Sequence, residues 1–548
     1  MMTQEHVPVL IVGAGAAGLT LSLLLRQQGI SSVLVERRPD VSWYPRARNL
    51  NFRTLEVFRG LGLEAEVIAA GSPVSRVFRK DTLASPQREE FPAVEQALHI
   101  MDHPETLTPE PPIWYCPQSR LEPLLLASVK QRGGDVRYHT ELVSFTQDSQ
   151  GVTATIRDRT TGTSSVLHAD YLAACDGAHS RIREALSVKA EGLGVLDEYY
   201  LFVYFRAEWR DLIRGYEADA ILIDRPGIRG FFLITDADRG MFLIQYAPSR
   251  GESARDYTAE RCKELVEKGI GKPELAVEIL GIEHWQPMQL VAEHFQQGRV
   301  VLVGDAAHTM PPKLGLGANT AIQSAQNLAW KLAAVIGGQA AQELLSTYQT
   351  ERHPVGLLAS QQSLVGPAAA LLTRGSDDDL LPAEKQVPLF SLIAGYRYRS
   401  QAVLSEDAVP SEQASIELLA QPEELTGLPG TRVPHLWLER GGQRISTLDL
   451  LDGRFVLLTG TGGTAWKDAA AAVAEHLGIA LAAYGIGAGA DLLDLENGWQ
   501  VKMGMSAEGA MLVRPDGFVA WRTDTRPPNP EPKLRQVLSS ILCQRQQA

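Results

Sequence analysis

Residues 7–36 read VPVLIVGAGAAGLTLSLLLRQQGISSVLVE. The run Val7 to Val12 is continuously apolar, as a strand buried inside a parallel sheet requires. Gly13-Ala14-Gly15-Ala16-Ala17-Gly18 follows, then a leucine-rich helix ending near Gly29, then a second strand that closes on Glu36. The glycines permit a tight turn, close backbone approach and helix packing, and the helix N-terminus receives a pyrophosphate. Glu36, 23 residues after Gly13, is placed to accept ribose hydroxyls. The expectation is an α/β chain with a Rossmann-like dinucleotide site at Gly13, Gly15, Ala16, Ala17, Gly18 and Glu36.

Working outward, a second Gly-rich loop, GDAAHTMPPKLGLGANT, occupies residues 304–320 at the end of another apolar run, RVVLV. Pro311 and Pro312 stop a helix from starting at once and stiffen the crossing. Gly315 and Gly317 remove side chains where a ligand must approach the backbone. A long helix is predicted from Asn319 or Thr320, both competent caps. Ala321, Ile322, Ala325, Leu328, Ala329, Leu332 and Ala333 recur after them at helical spacing. Such a loop aims a positive helix end at a flat, partly polar ligand. A flavin fits, because its N1/C2=O edge becomes negative on reduction, and Asp305 is placed to bind a ribityl hydroxyl. One loop then holds the ADP half of FAD and the other holds the reactive ring.

The 548 residues predict two or three domains. A net charge of −13 with no long basic run argues against nucleic acid. Cys116, Cys175, Cys262 and Cys543 form no Cys-x-x-Cys pair, which argues against a disulfide framework or a cysteine-rich zinc site. His308 has no second ligand at metal spacing, so no metal is expected and the histidine reads as structural. MMTQEHVPVL lacks a basic region before its apolar run and reads as a strand rather than a signal peptide. The Ala-rich stretch 469–483 is too short to span a bilayer, so a cytoplasmic protein is expected.

These motifs resemble the FAD-dependent aromatic hydroxylases, the single-component flavoprotein monooxygenases of p-hydroxybenzoate hydroxylase fold. The resemblance rests on Gly13 to Gly18, on Asp176-Gly177-Ala178-His179-Ser180 with Arg183, and on Gly304-Asp305. YPRARNLNFRTLEVFRGLG, CPQSRLEPLL, NLAWKL and TYQTERHPV extend it to the aromatic-polyketide hydroxylases of tetracenomycin and anthracycline type, as does the ending GYRYRS…STLDLL…LVRPDGFVAWR. By that resemblance Glu36 and Arg37 contact the adenosine part of FAD, Arg46 the pyrophosphate, Gln118 the pyrophosphate–ribityl region and Asp305 the ribityl chain. Asp176 serves both FAD and NAD(P)H. Pro312, Gly317, Ala318 and Asn319 surround the ring, although Lys313 and Leu314 stand where many relatives have a Gly-rich turn.

The resemblance also implies the organisation. The FAD-binding domain is expected at 1–75, 110–185 and 287–400, and an antiparallel-sheet substrate domain at 76–109 and 186–286. A linker at 401–430 and a thioredoxin-like C-terminal domain at 431–548 follow. Aromatic-dense strands in the substrate domain make Phe231, Phe242 and Tyr246 candidate pocket residues. Asp516-Gly517 between apolar runs signals a hairpin. Gly460-Thr461-Gly462-Gly463-Thr464-Ala465 imitates a dinucleotide turn but lacks an acid at ribose distance, and reads as a structural turn.

The implied reaction has NADPH or NADH reduce FAD, oxygen add as a C4a-hydroperoxide, and its distal hydroxyl pass to an electron-rich ring. The flavin carries that chemistry, and the sequence selects no catalytic acid or base. The expected partners are a small aromatic substrate, O2 and NAD(P)H, with no nucleic acid or membrane, in a monomer or homodimer. A Baeyer–Villiger oxygenase on a polycyclic ketone and, in another class, a non-catalytic flavin-binding scaffold are the alternatives.

Overall fold

The computed structural model describes residues 5–42, 44, 46–73, 76–90, 103–214, 218–234, 238–364, 387–405 and 424–544. Most of the expected linker (406–423), part of the first substrate segment (91–102) and the acidic cluster at 377–379 lie outside them.

Strands Glu5–Val12, Ser32–Val35, Asp135–Arg137, Ser164–Ala174 and Val300–Leu302 run parallel. Their order is 300–302, 164–174, 5–12, 32–35, 135–137, so the two longest strands lie side by side at the centre. Val9 to Val12, Ser32 to Val35 and Val300 to Leu302 are buried throughout, which is why these segments read as unbroken apolar runs. The helices Ala16–Gln27 and Gly317–Ile336 follow the first and last of these strands and pack on each other. Both therefore start at the carboxyl edge of the sheet, where open α/β sheets bind ligands. The second begins at Gly317, two or three residues before the expected Asn319 or Thr320. Asn319 is inside the helix because its side chain is used to tie down neighbouring loops rather than to cap.

A second sheet has the order 278–285, 199–206, 239–246, 228–234, 218–225, 76–80, 89–90. Only the 218–225/76–80 pairing is parallel. Helix Ala259–Ile270 seals one face, with Cys262, Leu265, Val266 and Ile270 packed on Phe205, Phe232 and Phe242. Strand Ala190–Val195 pairs instead with Met288–Ala292, which in turn pairs with His308–Thr309 beside the second Gly-rich loop.

The C-terminal part has strands in the order 481–485, 455–459, 510–513, 519–523, the first pair parallel and the others antiparallel. Helices Thr464–Leu477 and Glu531–Ile541 pack on one another, and their apolar residues join one core that also takes in Trp330 and Ala334 of the long helix. Buried charge completes that junction. Glu351 accepts from Lys331 Nζ at 2.8 Å and from Arg514 at 2.6 and 2.9 Å. Asp516 accepts from Trp330 Nε1 at 3.2 Å, and its carbonyl takes Arg53 at 2.8 Å. Burial opposes ionisation of Glu351, but Arg514 and Lys331 hold its carboxyl well below the usual range. No helix among the described residues is long and apolar enough to cross a membrane.

Candidate active site

The first Gly-rich loop divides its glycines between packing and access. Gly13 has φ +109°, and a Cβ there would lie 2.2 Å from the Cys175 carbonyl oxygen. A Cβ on Gly18 would lie 2.0 Å from the Gly13 oxygen, whereas one on Gly15 would meet only Glu122 Oε1 at 3.6 Å. Gly15 is also the N-cap of helix 16–27, which no side chain caps. The amides of Ala16 and Ala17, in the first turn of that helix, have no intrahelical acceptor and no side-chain cap, as a pyrophosphate site requires.

Glu36 closes over this turn. Its Oε2 accepts from the Ala14 amide at 2.9 Å and its Oε1 from the Arg38 amide at 2.9 Å and Nε at 3.1 Å. Burial opposes the charge, yet Arg38 and the Ala14 amide hold the carboxyl below its ordinary range. The cation paired with Glu36 is Arg38, a residue the motif does not single out, while Arg37 is exposed and offers its carbonyl to Arg159 at 2.8 Å. Gln118 turns its amide to the buried Glu122, whose other oxygen accepts from the Ser42 amide at 3.2 Å. Glu122 gave no signal in the sequence beyond lying one helical turn from Gln118.

The second loop starts at Gly304, with φ +65°, where a Cβ would come 3.0 Å from Ala321 Cβ and 3.3 Å from Ala17 Cβ. This glycine lets the two helices cross. Asp305 lies deep in the molecule, yet its side chain is open, so it faces a recess rather than packed protein. Burial pushes its carboxyl up to about 6, against the opposing field of Arg46. The central motif braces this turn from behind. Arg183 donates to the Ala306 carbonyl at 2.9 Å and to the Ala178 carbonyl at 3.1 Å. Asp176 Oδ2 accepts from the Ile182 amide at 3.2 Å, and Ser180 caps Arg183 at 3.0 Å. His308 is fully buried against Ser324, and burial drops it to about 3, which suits a structural residue.

Beyond Pro311, a short turn Pro312–Leu314 leads to Gly315 with φ +64° and then to helix 317–336, whose start no side chain caps. A Cβ at Gly317 would have nothing nearer than Met310 Cγ at 3.7 Å. The amides of Gly317, Ala318 and Asn319 are the first of the helix and lack intrahelical acceptors. The Asn319 side chain is spent on the scaffold. It accepts from the Asn51 amide at 3.0 Å and donates to the Asn49 and Gly315 carbonyls at 2.9 and 2.7 Å.

The second sheet turns one aromatic face to this region. Tyr200, Tyr204, Phe231 and Leu243 form that face, with Tyr44 packed against Tyr204 at 4.4 Å between ring centroids. Arg46, next to Tyr44, is ion-paired with Glu283 of the sheet. Phe231 is therefore on the side turned to the first domain, but Phe242 and Tyr246 are not. They lie on the opposite face with Phe232, Trp209 and helix 259–270, because neighbouring strand residues alternate between faces. Tyr200 and Tyr204 take their place, and both sit at alternate positions in the aromatic run already visible in the sequence.

The C-terminal imitation of a dinucleotide turn is filled by the chain itself. Gly462 donates to the Ala507 carbonyl at 2.9 Å, and a Cβ there would lie 2.4 Å from Glu508 Oε1. A Cβ at Gly460 would lie 2.5 Å from the Ala507 oxygen. The face of the turn at Gly460 and Gly462 is thus taken up by residues 507 and 508.

Two glycine loops that open uncapped helices, the second led by a deep and open carboxylate, suit a large dinucleotide cofactor such as a flavin. Residues 6–363 match the FAD binding domain family, and residues 426–544 match the C-terminal domain of aromatic-ring hydroxylases. The tetracenomycin B2 monooxygenase-dioxygenase of Streptomyces olivaceus is 38% identical over 562 residues, covering 99% of this chain and 100% of that protein. The aklavinone 12-hydroxylase of Streptomyces purpurascens is 36% identical over 552 residues, again 99% of this chain and 100% of that one. The crystal structure of aklavinone-11 hydroxylase with FAD and aklavinone superposes with a TM-score of 0.85 at 34% identity, covering 99% of this chain and 100% of that one. The chain belongs to the FAD-dependent aromatic-ring hydroxylases and is a flavoprotein monooxygenase.

Proposed function

We propose that this monooxygenase hydroxylates a polycyclic phenol or quinone of polyketide type, with NADPH or NADH as transient reductant. The observation that carries this is the aromatic cluster of Tyr44, Tyr204 and Phe231 on the sheet, linked to the Asp305 loop by Arg46, which pairs with Glu283 and acts on the Asp305 carboxyl. A flat, fused-ring substrate stacks on such a face, and its polar edge is met by the Arg46–Glu283 pair. The relatives named for tetracenomycin and aklavinone support the same substrate class.

The residues present fit FAD. The open amides at Gly15 to Ala17 would hold the pyrophosphate, Glu36 the adenosine ribose, Asp305 the ribityl chain and the 317–319 amides the ring. The bound flavin supplies the activation of oxygen. The chain's own part is to place the substrate ring, keep water out and neutralise charge at the helix start. The C-terminal strand order, two parallel then two antiparallel with both helices on one face, supports a thioredoxin-like unit without redox cysteines.

The test is incubation with NADPH, a panel of polycyclic phenols and quinones, and isotopically labelled O2. One labelled oxygen per product molecule, attached to an intact ring, is expected. A ring-expanded lactone instead would replace hydroxylation by Baeyer–Villiger chemistry.

A further inference from the structure

Lys313 is an unusual residue for its position. It stands on the turn 312–314 of the ring-facing loop, yet it is only 8% exposed. Burying an ammonium is costly unless it is paired and hydrogen-bonded. Here Nζ lies 2.8 Å from Glu198 Oε1 and donates to the Leu364 carbonyl at 3.2 Å. The second oxygen of Glu198 accepts from Tyr200 OH at 2.7 Å. Tyr200 belongs to the aromatic face of the sheet and packs on Trp285 at 5.6 Å. The chain of contacts thus runs from the loop, across the boundary, into the substrate-facing wall.

The turn has two side-chain anchors. Asn319 ties Gly315 to the strand at Asn49, and Lys313 ties the other side to Glu198, just before strand 199–206, and to Leu364, just past helix 346–362. Stiff Pro311 and left-handed Gly315 flank the turn, so its position depends on those anchors rather than on backbone ladder bonds.

We propose that Lys313 and Glu198, with Tyr200 behind them, form a latch that holds the ring-facing loop against the substrate sheet. The pair acts as positioning residues: it fixes the loop at one distance from the aromatic wall and limits water at the flavin ring. This rests on the flavin reading of the loop, and it assigns a role to a buried lysine that the cofactor site does not use.

The test uses the full FAD-loaded chain and the variants Lys313→Met, Glu198→Gln, their double, and Lys313→Arg. Hydrogen exchange at amides 313–317 is read together with the vibronic shoulder of the bound flavin's long-wavelength band, which blurs as water reaches the ring. Each single variant should exchange roughly tenfold faster there while helix 16–27 keeps its protection. The double should be no faster than the quicker single, since the two residues act as one unit. Lys313→Arg should restore both the slow exchange and the resolved shoulder. Additive effects, or parent-like exchange and spectrum in both single variants, would overturn the latch. If the chain binds no FAD at all, the functional reading fails, but exchange at 313–317 in the FAD-free variants still decides whether the pair holds the loop.

Discussion

Asp305 combines two properties that seldom coincide, depth in the molecule and an open carboxylate. With the ribityl chain bound to it as proposed, replacing it by alanine removes a hydrogen bond to a charged group, a loss of about 1.5–3 kcal/mol. FAD affinity should fall by roughly ten- to a hundredfold. The raised carboxyl adds a pH dependence. In the proposed contact a ribityl hydroxyl donates to the ionised form, so FAD binding would pull the group's pKa down from about 6 and release a proton. Affinity should therefore be full above pH 6 and decline as pH falls through that value, a slope that Asp305→Asn removes. Titration of FAD binding by fluorescence across pH checks both, and unchanged affinity in the alanine variant would remove Asp305 from the site. At this scale the sequence was legible where chemistry dictates residue type. Gly13 and Gly18 are forced by close backbone oxygens, and Gly304 by its left-handed backbone beside the Ala17 and Ala321 methyls. Arg38, Glu122 and Glu283 were not legible, because their partners come from other segments and only the folded chain brings them together.

Among the elements, the turn 460–463 separates a packing role from a ligand role. Its glycines let the segment 506–509 close on the start of helix 464–477. In Gly462→Val the new side chain must displace Glu508 and press on the Ala507 carbonyl. Such overpacking costs about 1–3 kcal/mol. The melting temperature should fall while reduction of the bound flavin by NADPH, followed by stopped flow, keeps the parent's saturation curve. A selective loss of NADPH saturation would move the nicotinamide site into the C-terminal unit. Strands and helices announced themselves by apolar runs and helical spacing, and the aromatic-dense segments 199–206 and 239–246 read plainly as strands. Which of the two faces turned toward the first domain was not plain. That choice is made by helix 259–270, which covers Phe242 and Tyr246 and leaves Phe231 on the other side. The start of helix 317–336 was misplaced for a related reason: Asn319 looked like a cap, but tertiary partners at Asn49, Asn51 and Gly315 claim its side chain.

At the scale of the whole molecule, the long helix 317–336 joins function to architecture. Its first turn carries the free amides proposed for the flavin ring, and its last turns, through Trp330, Lys331 and Ala334, are built into the C-terminal core and the buried Glu351–Arg514–Asp516 cluster. The C-terminal unit is thus fastened to the cofactor domain by buried ion pairs and hydrogen bonds, and removing one partner would leave the other charged and buried. The sequence showed that such a unit exists but not that it is fastened, since Arg53, Glu351 and Asp516 look like ordinary surface charges until they are brought together. The claim on which the rest depends is that the two glycine loops hold a single FAD. The direct measurement is the flavin released on denaturing purified, FAD-saturated protein. One FAD per chain, from a yellow protein whose colour is lost on unfolding, is the predicted result. A colourless protein that FAD cannot reconstitute would contradict it.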